Sequence, residues 1–167
     1  MASQRSWWAR KARQLGRHAA ARVRPVERAA LAEWLTPAQL ALFDAMPVVD
    51  RRHGLDVVAV LRASGVTDRD VHLAGLFHDA GKGRSIRLWH RVAWSLGELL
   101  GSWVHRLAAR LPGGGDAMAR LGDHDERSAE LAAAVGCSPR SVALIRGDAG
   151  PGGGASLAAL HAADEAS

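Results

Sequence analysis

The chain has a single cysteine, no tyrosine and only two phenylalanines. It also contains no segment in which polar and apolar residues alternate one by one. One cysteine, Cys137, excludes an intramolecular disulfide and suits a reducing compartment, so a cytoplasmic location is expected. Missing period-2 alternation argues against half-buried strands. Long hydrophobic runs are missing too. The most apolar stretch, VAWSLGELLGSWV at 92–104, spans 13 residues and includes Glu98, whereas about 20 residues are needed to cross a bilayer. The opening MASQRSWWARKARQLGRHAAARV lacks the uninterrupted apolar segment of a secretory signal.

What is present favours helix. A length of 167 residues fits one domain with a real core. Its apolar 48% is dominated by Ala, Leu and Val, and Arg is abundant. Such residues lose little freedom in a helix. The net charge of +5 is uneven: residues 1–28 hold eight Lys or Arg against one acid, Glu27. Positions 29–167 carry 14 basic and 16 acidic residues and are close to neutral. The positive charge therefore belongs to the leading segment, and the high pI says little about nucleic acid.

Punctuation by proline, glycine and small polar residues divides the chain. Residues 3–22 read as a basic helix. Pro25 opens a second helix, PVERAALAEWL, and Thr36-Pro37 caps and opens a third, TPAQLALFDAM. Pro47 or Asp50 starts a longer one that stops at Gly65. Thr67 is expected to cap TDRDVHLAGLFHDAG, which ends at the glycines 81 and 83. Apolar residues at 86, 89, 93, 96, 100, 103, 107 and 111 carry helical spacing across 85–111, with Gly97 and Gly101 as points of bending or division. PGGGD at 112–116 reads as a flexible break. Further helices fit 117–135, 139–147 and 156–165, with DAGPGGG at 148–154 as the last loop. The expected fold class is all-α: a basic arm over 1–46 and a helical domain over 47–167.

Within this helical frame stands GLFHDAGKG at 75–83. His78 and Asp79 adjoin at the end of an apolar stretch, immediately before Gly-Lys-Gly. His53 in DRRHGLDVVAVL, His124 in GDHDERSAELAAAVG and Asp164 in LAALHAADE stand in similar surroundings. Imidazole and carboxylate together suit a divalent first-row cation, with water completing its shell. On a regular helix adjacent side chains diverge by roughly 100°, so the doublet converges on one ion only at a helix terminus.

The order His53, His78-Asp79, Asp164, with the HDAGKG core, resembles the HD-domain superfamily of metal-dependent phosphohydrolases. The resemblance covers about 47–167 through RHGLDVV, LFHDAGKG and LHAADE. It implies an HD-like all-helical bundle whose metal ligands are His53, His78, Asp79 and Asp164. It further implies that Lys82 approaches the substrate phosphate, that Asp79 also orients the attacking water, and that His124 protonates a leaving oxygen or holds phosphate. The metal implied is divalent: manganese, iron, cobalt, nickel, magnesium or zinc. The substrate implied is a small phosphorylated molecule, nucleotide-like in chemistry, hydrolysed by metal-activated water. The chain departs from the two-metal branch of that superfamily, because Gly147 and Asp148 stand where a histidine pair usually follows. The GYP signature of cyclic-dinucleotide phosphodiesterases is absent as well. A mononuclear site is expected, and a non-catalytic sensor for a phosphorylated ligand is the alternative.

Blander readings stand beside these. His78-Asp79 is also a solvated helix end, Asp164 part of a frayed acidic terminus, and GDHDE an exposed helix start with acids suited to the dipole. His18, His72, His90, His105 and His161 read as partly buried or surface residues, with His161 one turn from Asp164 as a second-layer candidate. Cys137 reads as a small core or loop residue, and Asp56, one turn from His53, as its hydrogen-bond partner or a surface residue. The arginine-rich first helix either packs its Ala/Trp side on the domain or meets anionic membrane. No base-reading motif accompanies its charge, which disfavours nucleic acid. Trp89, Trp94 and Trp103 read as core or as a dimer face. Oligomeric state is not encoded in any of these features.

Overall fold

Proline and glycine placement accounts for most helix boundaries in the computed structural model, which describes residues 21–167. The basic helix expected over 3–22 lies outside the described residues, save Ala21 and Arg22, which are not helical. Among the described residues the chain is all-α, without a strand. In chain order the helices are α1 (Pro25–Ala32), α2 (Pro37–Ala45), α3 (Val48–Ala63), α4 (Arg69–Phe77), α5 (Leu88–Leu100), α6 (Ser102–Ala109), α7 (Gly114–Gly122), α8 (His124–Ala134), α9 (Pro139–Ile145) and α10 (Gly154–Ala166). A single 3-10 turn, Ala80–Lys82, follows α4.

Pro25, Pro37 and Pro139 each occupy a helix start, where the missing N–H would have had no partner anyway. Thr36 accepts from the Gln39 amide at 3.2 Å, and the Gln39 side chain accepts from the Thr36 amide at 3.1 Å. Ser138 caps α9 by accepting from Ser141 N at 3.0 Å.

Several boundaries differ from expectation; α4, for one, ends at Phe77 rather than at the glycines 81 and 83. Asp68, rather than Thr67, caps α4 by accepting from Asp70 N at 2.9 Å. The stretch 85–111 is divided at Gly101, one of the two glycines expected to bend or split it, whose φ of 107° no other residue type adopts easily. The helix expected over 117–135 begins earlier, at Gly114 inside the anticipated flexible break, and is divided at Asp123. A Cβ at Gly114 would lie 1.9 Å from the Ala108 carbonyl oxygen. Its absence lets α7 start directly against α6.

The principal core surrounds α4, which packs against α3, α9 and α10. Phe43, Val57, Leu61, Leu73, Leu76 and Phe77 are all fully buried there. Leu31, Leu35 and Met46 belong to the same cluster, so residues 25–46 share a core with the later helices. Ile86, Ala108, Ala117, Met118 and Leu121 form a second, smaller cluster among α5, α6 and α7, with Trp89 and Trp94 against it. No helix of the described residues is long and apolar enough to cross a membrane.

Two contacts set how these parts meet. A Cβ at Gly54 would fall 2.6 Å from the Leu76 carbonyl oxygen, so glycine permits the close approach of α3 to α4. Asp50 of α3, 1% exposed, receives the Arg91 guanidinium of α5 at 2.8 Å. This ion pair ties the smaller cluster to the principal one.

Gly54→Ala should lower stability by about 1–3 kcal/mol through overpacking, read as a lower urea midpoint at unchanged m value. Arg91→Ala strands a buried carboxylate and should cost about 3–5 kcal/mol. Asp50→Leu with Arg91→Met should recover most of that loss in the same unfolding experiment, because an apolar pair needs no charge compensation.

Candidate metal centre

The site arises where α4 stops. Phe77 is its last helical residue, His78 is the cap, and Asp79 then takes φ −100° and ψ 2°, outside the helical basin. This change of course cancels the divergence that two adjacent side chains would have on a continuous helix. The turn that comes next is seated against the start of α8. Gly81 N donates to Ser128 Oγ at 2.8 Å, and a Cβ at Gly81 would come within 2.4 Å of the His124 carbonyl oxygen. Glycine and a buried serine thus hold the doublet in place.

Four side chains from three segments converge there. His53 projects from the middle of α3, and its Nε2 lies 2.7 Å from Asp164 Oδ1 of α10. His78 Nε2 lies 3.4 Å from the same oxygen and 3.5 Å from Asp79 Oδ1. The ligand atoms of His53, His78 and Asp79 all fall within 4.8 Å of one another, a grouping able to hold a metal ion. Ligands about 2.1 Å from an octahedral ion stand about 3 Å apart when adjacent and about 4 Å apart when opposite. The separations from Asp164 and within the doublet lie near that range, and His53, His78 and Asp79 form a cluster that could hold a metal ion.

Outer contacts orient the ligands. His78 Nδ1 donates to the Gly75 carbonyl at 3.0 Å, which turns Nε2 toward the cluster. Lys82 Nζ contacts Asp79 Oδ1 at 2.6 Å. His124 Nδ1 donates to the Leu121 carbonyl at 2.7 Å, leaving Nε2 at 3.8 Å from Asp79 Oδ1 and 3.1 Å from Asp125 Oδ1. His124 therefore stands at the edge of the cluster, and Asp125 faces it. Glu126, by contrast, pairs with Arg146 at 2.7 Å.

Charges of both signs are closely coupled in the cluster. Burial opposes a charged His78, yet the carboxylates of Asp79 and Asp164 outweigh it and push the imidazole up to about 9. Burial likewise opposes the Asp79 carboxylate, but Lys82, His78 and His53 hold it well below its ordinary range. Asp164 is lowered in the same way, its burial overcome by hydrogen bonds from His53 and His78. The two ionised carboxylates thus face the Lys82 ammonium and a His78 imidazole that must shed its proton before Nε2 can bind a metal.

These groups line one wall of a cleft of about 1120 Å³. Leu88, Val92, Trp94 and Leu96 of α5 line the same cleft. Gly147 borders it without offering a side chain, while Asp148 accepts from Gly150 N at 2.9 Å within its own loop. His161 sits exposed on the rim. Asp56 binds Arg52 at 2.9 Å rather than His53. Arg52 also reaches Glu27 at 2.9 Å, which links α1 to the rim.

The remaining histidines of the described residues serve packing. His72 Nε2 donates to the Val66 carbonyl at 2.9 Å, and His105 Nε2 to the Trp94 carbonyl at 3.0 Å. His90 is buried against Trp89. Cys137 is buried and accepts from Gln39, and burial raises its thiol pKa. Sequence reasoning overlooked Asp50, Arg91 and Ser128. Asp50 lies one turn before His53, a usable signal, but nothing in the local sequence marks the other two. Comparison with protein-family models, curated proteins and solved structures finds no match to the chain.

Manganese at a hundredfold excess over its Kd should stabilise the protein by about 2.7 kcal/mol, seen as a rise in Tm. His78→Ala and Asp79→Ala should each remove that rise, and His161→Ala should preserve it.

Proposed function

We propose that this protein is a metal-dependent phosphohydrolase of HD-domain type, acting on a nucleotide or related phosphate ester. The observation that carries this reading is the cluster of His53, His78 and Asp79, able to hold a metal ion, with Asp164 against both histidines. Nitrogen and oxygen donors in that mixture suit manganese, iron, cobalt, nickel or zinc, with magnesium the least suited because it prefers oxygen throughout. When bound, such an ion polarises a phosphoryl oxygen and lowers the pKa of water at neutral pH.

The chain's own residues supply the rest. Lys82 places its ammonium beside Asp79, where it offsets charge gathering on the phosphoryl oxygens in the transition state. Asp79 has a second oxygen with which to orient an incoming water. His124, fixed through Nδ1, presents Nε2 to the same space and as imidazolium gives a proton to the leaving oxygen. The apolar side chains of α5 line the cleft as well. Its volume exceeds the 300–1,000 Å³ or so of common small-molecule pockets, which leaves room for an ester of nucleotide size.

A second reading rests on Gly147. The side-chainless cleft border there fits a one-ion site, and a sensor that binds a phosphorylated ligand without turnover would use the same pocket.

A panel of phosphomonoesters, phosphodiesters and nucleotides, assayed with each metal, separates the two. Hydrolysis is expected, with Lys82→Ala lowering kcat by about 10²–10³ while keeping the metal-induced rise in Tm. Binding of a phosphorylated ligand with no release of phosphate from any ester would favour the sensor and overturn the hydrolase.

A further inference from the structure

Of the ten large apolar side chains exposed among the described residues, seven lie between positions 88 and 111. Leu100, Trp103, Leu107 and Leu111 are each more than half exposed. Their placement reflects the helix period. Ala108 of α6 is buried in the smaller cluster, with Val104 and His105 half-buried beside it. Trp103, Arg106, Leu107 and Arg110, spaced by three and four residues, occupy the opposite, exposed face. The indole of Trp103 is tied back by donating to the Leu100 carbonyl at 2.9 Å, which unites the end of α5 and the start of α6 in one patch.

Charge along this stretch is mostly positive. The stretch 84–111 holds five arginines and one acid, Glu98. Arg91 is engaged by Asp50, whereas Arg84, Arg87, Arg106 and Arg110 are exposed. Apolar and cationic side chains sharing one helix face, with tryptophan among them, are the features of a helix that lies in the plane of a membrane interface.

We propose that the outer face of α6, with the adjoining end of α5, is a docking surface for an anionic membrane. Leu100, Trp103 and Leu107 enter the boundary between headgroups and acyl chains, and Arg106 and Arg110 meet lipid phosphates. A second copy of the chain fits this face less well. A two-fold contact would set the arginines of one patch against those of the other, with Glu98 the sole acid in the stretch to offset them. Residues 1–28, with eight basic side chains and one acid, are like-charged and equally ill-suited to cover it. Nucleic acid would match the arginines and leave the leucines without a partner. This inference stands apart from the hydrolase reading, since it uses none of the metal-centre residues.

Co-flotation of the full-length protein with phosphatidylcholine vesicles, with and without phosphatidylserine, tests it. The protein should float with the anionic vesicles, stay behind with neutral ones, and be released by high salt. Trp103→Ala with Leu107→Ala should reduce the bound fraction by about tenfold or more. Arg106→Glu with Arg110→Glu should abolish binding, since each arginine is worth about fivefold at an anionic surface. Circular dichroism melts of both variants should match the parent, because all four positions are exposed. Emission spectra on vesicle addition should show a blue shift that Trp103→Phe removes. Failure of the parent protein to float would overturn the proposal, as would flotation of both variants at the parent level. A dimer by light scattering that dissociates in Trp103→Ala with Leu107→Ala would assign the face to a second copy instead.

Discussion

The site depends on one interruption: α4 ends at Phe77, and the chain turns at Asp79 before it can complete another helical turn. Had the helix continued, His78 and Asp79 would point in directions about 100° apart, and one of them would miss the cluster. The hydrogen bond from Gly81 N to Ser128 Oγ, with the α8 backbone pressed against Gly81, holds the turn in its course. A wholly local feature, the glycine, and a distant one, the serine 47 residues later, are both required. His124 begins α8 within the same contact, so the packing that stabilises the doublet also delivers a further imidazole to its edge.

Around this point the protein balances charge in two different ways. At the centre, Asp79 and Asp164 stay ionised because His53, His78 and Lys82 surround them. The lysine and the imidazoles share two carboxylates within a few ångströms, and the arrangement is receptive to an ion that replaces protons. One turn before His53 on α3, Asp50 meets one arginine. Both border the same cleft, but Asp50 is itself almost wholly buried and its charge is met by a single guanidinium. The smaller apolar cluster, held through Asp50 and Arg91, forms the far wall of the cleft on one side and the Trp103 face on the other.

Much of this was legible in the sequence, for identifiable reasons. Pro25, Pro37 and Pro139 mark helix starts because the first helical position tolerates a missing N–H, and Thr36 and Ser138 announce themselves as caps by their hydroxyls. His53, His78, Asp79 and Asp164 stand out as polar groups in apolar helical surroundings. Other features were hidden. Gly114 reads as part of a flexible Gly-rich break, but the Ala108 carbonyl beneath it makes it the first residue of α7. Asp56 is one turn from His53 and equally one turn from Arg52, and the guanidinium wins it. Ser128 looks like any helical serine until its burial against Gly81 is known.

The sequence alone determined that the chain is helical, because its apolar spacing, its helix-favouring composition and its capping residues act over a few positions at a time. It also nominated the residues of the site, since their types and surroundings are local properties. Only the tertiary structure decided that an imidazole on α3, a doublet after α4 and a carboxylate on α10 share one point in space. It also decided that Trp103 faces outward while Trp89 and Trp94 face in. Both outcomes depend on how helices pack against one another, and packing is settled by shape and burial between segments far apart in the chain.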